Sequence, residues 1–472
     1  MKKKRILIAA ITLLIFSIFI AGCAENSIED NGDQQVDEPE LEAPIAATAA
    51  PEPTPTSIPE HLLVEFEDLE DIEVNFMHPW LGDVGSALES ITEEFNRVNE
   101  WDISVSIEGY GSEYHLLDAL QTKQDSGDMP ALIAVHPYLL ADIFSSYPLV
   151  NLADYFNHSE WGYDVDEQSD FFPAMLSPYE TDDELLALPL MPQATVLFYN
   201  QTWAEELGYP TLPSDHTQFQ VVTCAASFQN WRDDNPSTDG TGGWVLDLGP
   251  KVLAAWYLAF DGDLPYQNTP IFDNEAAFEA FSYLWKAREQ GCFWRARDPE
   301  PYFYASTRMA LAFAGTLDQI SAQSGWQEIL ESEDEWTVMG FPGQTGEKII
   351  VDSSPLLLYS GTPEEQLAAW LFAKYLMEPA VQAQLVKVSF ALPVRESTVV
   401  YLEDFMEEYP QWAAAMANPD SIHALPVSNE WGIAQWVLHD AVFRMLQTGV
   451  EEISMHLTEL DLKVNELEAL LP

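Results

Sequence analysis

Ala131-Leu132-Ile133-Ala134-Val135 is a run of five apolar residues with no polar interruption. A strand with one wet face alternates, and a strand covered on both faces does not. The run therefore predicts the buried centre of a sheet. Upstream, Ile103 to Ile107 and Ile72 to Met77 alternate as strands. Between them Leu88, Ile91, Phe95 and Val98 recur at helical spacing, and Leu116, Leu117 and Leu120 mark a second helix. The order is β-α-β-α-β, which predicts an α/β lobe with a largely parallel sheet.

Downstream, Thr195 to Tyr199 reads as a strand running into Asn200, and beyond it helices dominate. Asp273 or Asn274 caps a helix carrying Phe278, Phe281, Leu284 and Trp285, which Gly291 ends. Met309 to Ala314, Trp336 to Met339 and Leu356 to Tyr359 read as strands. Thr362-Pro363-Glu364-Glu365 is a helix start: Thr caps, Pro takes the first helical position and Glu365 completes a capping box. Trp431 to Leu470 is expected to close the chain as helix. The chain has 472 residues, 47% of them hydrophobic. Single cores stop growing near ~250–300 residues, so two lobes are expected.

Net charge is −59, from 19 basic and 78 acidic residues. Such a surface repels a nucleic-acid backbone and argues against DNA or RNA as a partner. No H-E-x-x-H, phosphate-binding loop or G-x-S-x-G elbow occurs, and Tyr114 breaks the glycine pattern that Gly109-Tyr110-Gly111 begins. The histidines show no metal-ligand spacing, so neither a metal nor a cofactor is expected. Carboxylates are too numerous for any pair to be singled out for hydrolysis. Lys286, Arg288, Arg295, Arg297 and Arg308 form a basic cluster, expected to pair with nearby carboxylates.

Lys2-Lys3-Lys4-Arg5, an apolar run from Ile6 to Ile20, and Ala21-Gly22-Cys23 have the organisation of an export signal. A cysteine directly after the small residues makes it resemble a bacterial lipoprotein signal. That resemblance implies a signal at 1–22 and a lipid on Cys23 that holds the protein outside the membrane; an uncleaved transmembrane helix is the alternative. From Ala24 to Glu60 there is no aromatic and no basic residue. This stretch cannot bury a core and reads as an acidic, Pro-rich tether, with the whole of 23–70 assigned to anchor and tether. Its reach is roughly 35 Å as a coil and about 100 Å if extended. Cys224 and Cys292 then remain, in a compartment where disulfides persist, and are expected either to bridge or to stay as buried thiols.

The order of segments from about residue 71 resembles the solute-binding proteins of bacterial ABC importers, in the branch that takes sugars and glycerol-phosphate compounds. The resemblance is carried by Val74 to Trp80, by Ser126-Gly127-Asp128-Met129-Pro130-Ala131-Leu132, by Leu188-Pro189-Leu190 with Val196 to Asn200, by Gly291-Cys292, by Pro363 to Pro379, and by Leu392-Pro393-Val394-Arg395. It implies an α/β, two-lobed periplasmic-binding-protein-like fold of type II, with hinged lobes and a central ligand cleft. The lobes are expected at 71–199 with 306–358, and at 200–305 with 359–472, hinged near Asn200, Ala305 and Tyr359. The implied partners are a small polar ligand such as a sugar and the permease of an importer. One stretch departs from the family: Ala314-Gly315-Thr316-Leu317 lacks the aromatic residue usual at this turn.

A sugar site wants aromatic plates and planar polar groups. Ligands of open α/β sheets sit beyond the carboxyl ends of the strands, here His78 to Asp83 and His136 to Tyr138. The expected ligand-binding residues are His78, Trp80, His136, Gln193, Trp244, Gly315, Thr316, Asp352 and Ser353, with Arg395 expected to be structural. A secreted carbohydrate-active enzyme and a ligand sensor for a membrane receptor remain as alternatives.

Overall fold

A computed structural model describes residues 62–136, 143, 147–181, 183–265, 271–296 and 301–470. The expected signal, Cys23 and the tether through residue 61 lie outside the described residues, as do Pro137, Tyr138 and Arg297.

The principal elements, in chain order, begin with β1 (Glu73–His78), α1 (Gly82–Val98), β2 (Ser104–Gly109), α2 (Glu113–Ser126), β3 (Leu132–Ala134) and β4 (Leu188–Pro189). Then come β5 (Gln193–Asn200), α3 (His216–Arg232), β6 (Trp244–Val245), α4 (Pro250–Ala259), α5 (Glu275–Glu289) and β7 (Phe293–Trp294). They are followed by β8 (Ala312–Thr316), α6 (Ile320–Ile329), β9 (Trp336–Met339), β10 (Phe341–Pro342) and β11 (Glu347–Asp352). The chain ends with β12 (Pro355–Leu358), α7 (Pro363–Leu376), α8 (Pro379–Ser389), β13 (Ile422–Ala424), α9 (Asn429–Met445) and α10 (Ile453–Glu468).

Two sheets result. The first has the order β2-β1-β3-β12-β4, with β1, β2 and β3 parallel and β12 antiparallel to β3. Leu132 to Val135 are fully buried in it, as the unbroken apolar run predicts. The second sheet is built around β5, which pairs antiparallel with β8 on one side and with β9 and β11 on the other. Successive side chains of a strand point to opposite faces. On β5, Leu197 and Tyr199 enter one core cluster while Ala194, Val196 and Phe198 enter another, so this sheet is covered on both faces. Thr362 and Glu365 form the predicted reciprocal cap at the start of α7.

The pairing redraws the expected division of the chain. Residues 193–199 and 312–352 belong to the second sheet rather than the first, because β5, β8, β9 and β11 hydrogen-bond to one another. Conversely, Leu367 to Leu376 of α7 pack in the core of the first lobe. The passages between sheets lie at 190–192, at 353–354 and near 390–394, not at Asn200, Ala305 and Tyr359. They run side by side: the Leu190 N–H donates to the Ser354 carbonyl at 3.2 Å, and the Leu392 N–H to the Pro192 carbonyl at 2.7 Å.

Three smaller differences follow from burial and chain geometry. Leu62, Val64 and Leu69, assigned to the tether, are buried against the first lobe. The closing helix is broken between Met445 and Ile453, where Gly449 interrupts it and the two halves fold back on each other as α9 and α10. A disulfide joins Cys224 of α3 to Cys292 just before β7. It closes a loop of 68 residues, worth about 4 kcal/mol in the chain-entropy model.

Arg308 of the basic cluster pairs with Glu206 and Asp334, both at 2.5 Å, and Arg395 is buried against Asp170 at 2.7 Å. Both are structural locks.

Candidate functional site

The carboxyl ends of β1 and β3 and the start of β12 reach the same edge of the first sheet. There the passage from β11 to β12 brings Asp352 and Ser353 between the lobes. Asp352 is the last residue of β11 and sits on the same side as Ile350, which faces the core beneath α4. Its carboxylate, 7% exposed, meets Lys251 Nζ at 2.6 Å and His136 Nε2 at 3.4 Å. Three elements thus converge: β3, β11 and the first turn of α4. Pro250 starts α4 at its first position, which aims the following lysine along the helix end. Desolvation pushes the His136 imidazole down to about 4, with Asp352 opposing the shift and Lys251 reinforcing it. His136 is therefore neutral at physiological pH.

This group opens onto a cavity of about 290 Å³. Its walls include His136 and Tyr179 on one side and Lys251, Trp431 and Trp436 on the other. The Tyr179 hydroxyl donates to the Ser353 carbonyl at 3.3 Å. A second cavity of about 580 Å³ shares Pro250 and Lys251 as a wall and is more polar, with Thr195, Asp247, Arg295, Thr316, Gln319 and His439 around it. Asp352 Oδ1, Ser353 Oγ and Thr195 Oγ1 are buried and have no hydrogen-bond partner among the described residues. Buried polar atoms are almost always paired, and leaving one unpaired costs about 1–3 kcal/mol. The residues that carry these three atoms line the two adjoining cavities. Among the described residues no three metal-capable side chains cluster.

The sequence profile of the bacterial extracellular solute-binding protein family matches residues 90–415. The chain belongs to that family. Its fold is similar to that of the cyclic alpha-maltosyl-1,6-maltose binding protein from Arthrobacter globiformis, with a TM-score of 0.71 and 16% identity over 83% of this chain and 98% of that one. The sugar-binding protein MalE from Xanthomonas citri gives a TM-score of 0.71 at 18% identity, over 84% and 97%. UgpB from Mycobacterium tuberculosis, in complex with glycerophosphocholine, gives 0.64 at 14% identity, over 84% and 98%. No curated protein sequence matches significantly.

In this solute-binding protein the expected contact residues separate into three groups. His136, Asp352 and Ser353 line the cavity between the lobes, and Gly315 and Thr316 line the neighbouring one on β8. Gln193 pairs with Asp352 across the strands, yet its side chain turns away and donates to the Ser389 carbonyl at 2.9 Å. His78, Trp80 and Trp244 belong to packing. His78 is 2% exposed, held near a pKa of about 4 by desolvation, and stacks on Trp80 at 5.6 Å. Its Nδ1 accepts the Trp80 N–H, so the pair closes the turn after β1 rather than facing the cavities. Trp244 is fully buried among Phe219, Trp256 and Phe293. The preceding glycines serve backbone approach: a Cβ on Gly243 would overlap the Cys292 carbonyl oxygen.

Sequence reasoning missed Lys251, Trp431 and Trp436. Lys251 had a signal, being the one basic residue between Arg232 and Lys286 and directly following a helix-starting proline. Trp436 had another, since it falls outside the apolar stripe of Ala434, Leu438, Ala441, Val442 and Met445, and it is 63% exposed.

Proposed function

We propose that this extracellular solute-binding protein captures a carbohydrate or closely related polar nutrient between its lobes and hands it, unaltered, to the permease of an ABC importer. The observation that carries this reading is that Asp352 and Ser353, whose Oδ1 and Oγ are buried without a partner among the described residues, line one cavity with Trp431 and Trp436, while Thr195, likewise unpartnered at Oγ1, lines the adjoining one. Hydroxyl groups would supply the missing partners while a sugar's apolar face lies on the rings. The similar structures named as sugar-binding or seen with glycerophosphocholine support the same class of solute. A solute touching both His136 and the Lys251 side would favour the closed arrangement, which gives a permease a loaded state to recognise. Cys23 carries the lipid that keeps the protein at the membrane.

The reading is tested by calorimetry and thermal shift against neutral saccharides, polyols, glycerophosphodiesters and amino acids, with the solute recovered afterwards. Saturable saccharide binding without product is expected. Conversion of the saccharide, or tight binding confined to a non-carbohydrate class, would overturn it. Cys23→Ser is expected to release the protein from the membrane fraction; retention and normal processing would refute the anchor.

A further inference from the structure

The cavity between the lobes does not end at Trp436. The same residue is a wall of a further cavity of about 430 Å³ lying in the groove between α9 and α10, outside the passages between the sheets. The walls of this groove carry Asp440, Arg444, Glu459 and Lys463. Arg444 is exposed and forms no ion pair among the described residues, although acids outnumber bases fourfold in the chain, 78 to 19. The polar cavity beside β8, the cavity between the lobes and this groove therefore stand in a row, joined by shared walls at Pro250 with Lys251 and at Trp436. An indole 63% exposed between two hollows presents ring surface to whatever lies in either. Planar charged groups stand just past it. That is the same pairing of plate and planar polar group that suits a saccharide in the cavity between the lobes.

We infer that the solute is a linear oligosaccharide that leaves the space between the lobes over Trp436 and continues in the α9–α10 groove, where Arg444 and its neighbours bind the distal units. This rests on the saccharide reading above and adds a segment of the site outside the lobe interface. A monosaccharide or disaccharide would fill the inner part only, and the groove would contribute nothing to it.

The test is calorimetry on the full-length protein with neutral oligosaccharide ladders of one to seven units: α-glucans, β-glucans, β-mannans and β-xylans. In the ladder that binds, affinity is expected to rise roughly tenfold or more between two units and five. Arg444→Ala should erase most of that rise and leave the two-unit affinity within about twofold, because it lies beyond the inner cavity. Trp436→Ala should weaken short and long members alike. Equal affinity for two and five units, or a loss in Arg444→Ala that is the same at every length, would overturn the inference while leaving saccharide capture intact. Failure of every ladder to bind would overturn both. Thermal melting of Arg444→Ala, expected to be unchanged at this exposed position, separates a lost contact from a lost fold.

Discussion

The two walls of the space between the lobes are unequal. The first lobe brings His136 at the end of β3, and Tyr179 beside the passage. The second lobe and its passages bring Lys251, Asp352, Trp431 and Trp436, together with all the described lining of the polar cavity beside β8. The first lobe spends its other edge groups, His78 and Trp80, on closing its own turn. The difference teaches that two lobes of similar build need not contribute evenly to the space between them. One presents most of the cavity lining, and under the proposed function the other supplies an edge that closes over the solute.

The largest expected effect separates core from wall within the richer lobe. Trp244→Ala should lower unfolding free energy by about 3–5 kcal/mol in a denaturant titration, with solute affinity of the folded fraction unchanged. Next, Asp352→Ala should weaken solute binding roughly 100-fold by calorimetry, since a charged acceptor loses its hydrogen bonds and Lys251 loses its partner. On the opposite side, Trp80→Ala should cost about 1–2 kcal/mol of stability and leave affinity within about twofold. His136→Ala should weaken binding by less than about tenfold. Losses of equal size for Asp352→Ala and His136→Ala would break the proposed asymmetry.

The smallest effect at neutral pH belongs to the two desolvated histidines, His78 buried and His136 half-buried. Desolvation holds both His78 and His136 at about 4, below the ordinary 6.5. The unfolded chain therefore takes up protons first as pH falls. The stabilisation from keeping these rings neutral is complete above about 6.5 and is lost as pH drops toward 4. NMR titration should find both rings neutral down to pH 5, and a midpoint near 6.5 for either would show that it is hydrated.

How much of this was legible follows the chain's locality. The first lobe's β1, β2 and β3 are joined by their own crossover helices, so neighbours in sequence are neighbours in space, and hydrophobic period alone located them. The second sheet joins β5, β8, β11 and β13, which are far apart in the chain. Each strand was recognisable by itself, but nothing in its own pattern says which sheet it enters, and this is why 193–199 and 312–352 were assigned to the wrong lobe. The site divides in the same way. Asp352 and Ser353 were expected because a polar pair ends an apolar strand, and both line the cavity between the lobes. Trp80 and Trp244 were expected as contacts, yet Trp80 packs half-buried against the first core and Trp244 is fully buried, because an aromatic beside glycine or a strand end looks the same whether it packs inward or outward. Trp436 was overlooked because an exposed ring on a helix becomes meaningful only when another wall faces it.

Three passages between the sheets among the described residues is an odd number. The described chain consequently starts in one lobe, at Leu62, and finishes in the other, on α10. Dyes attached near those two positions would therefore sit on separate jaws. Energy transfer between them would follow the gape of single molecules in real time, without a probe in the path of the cargo.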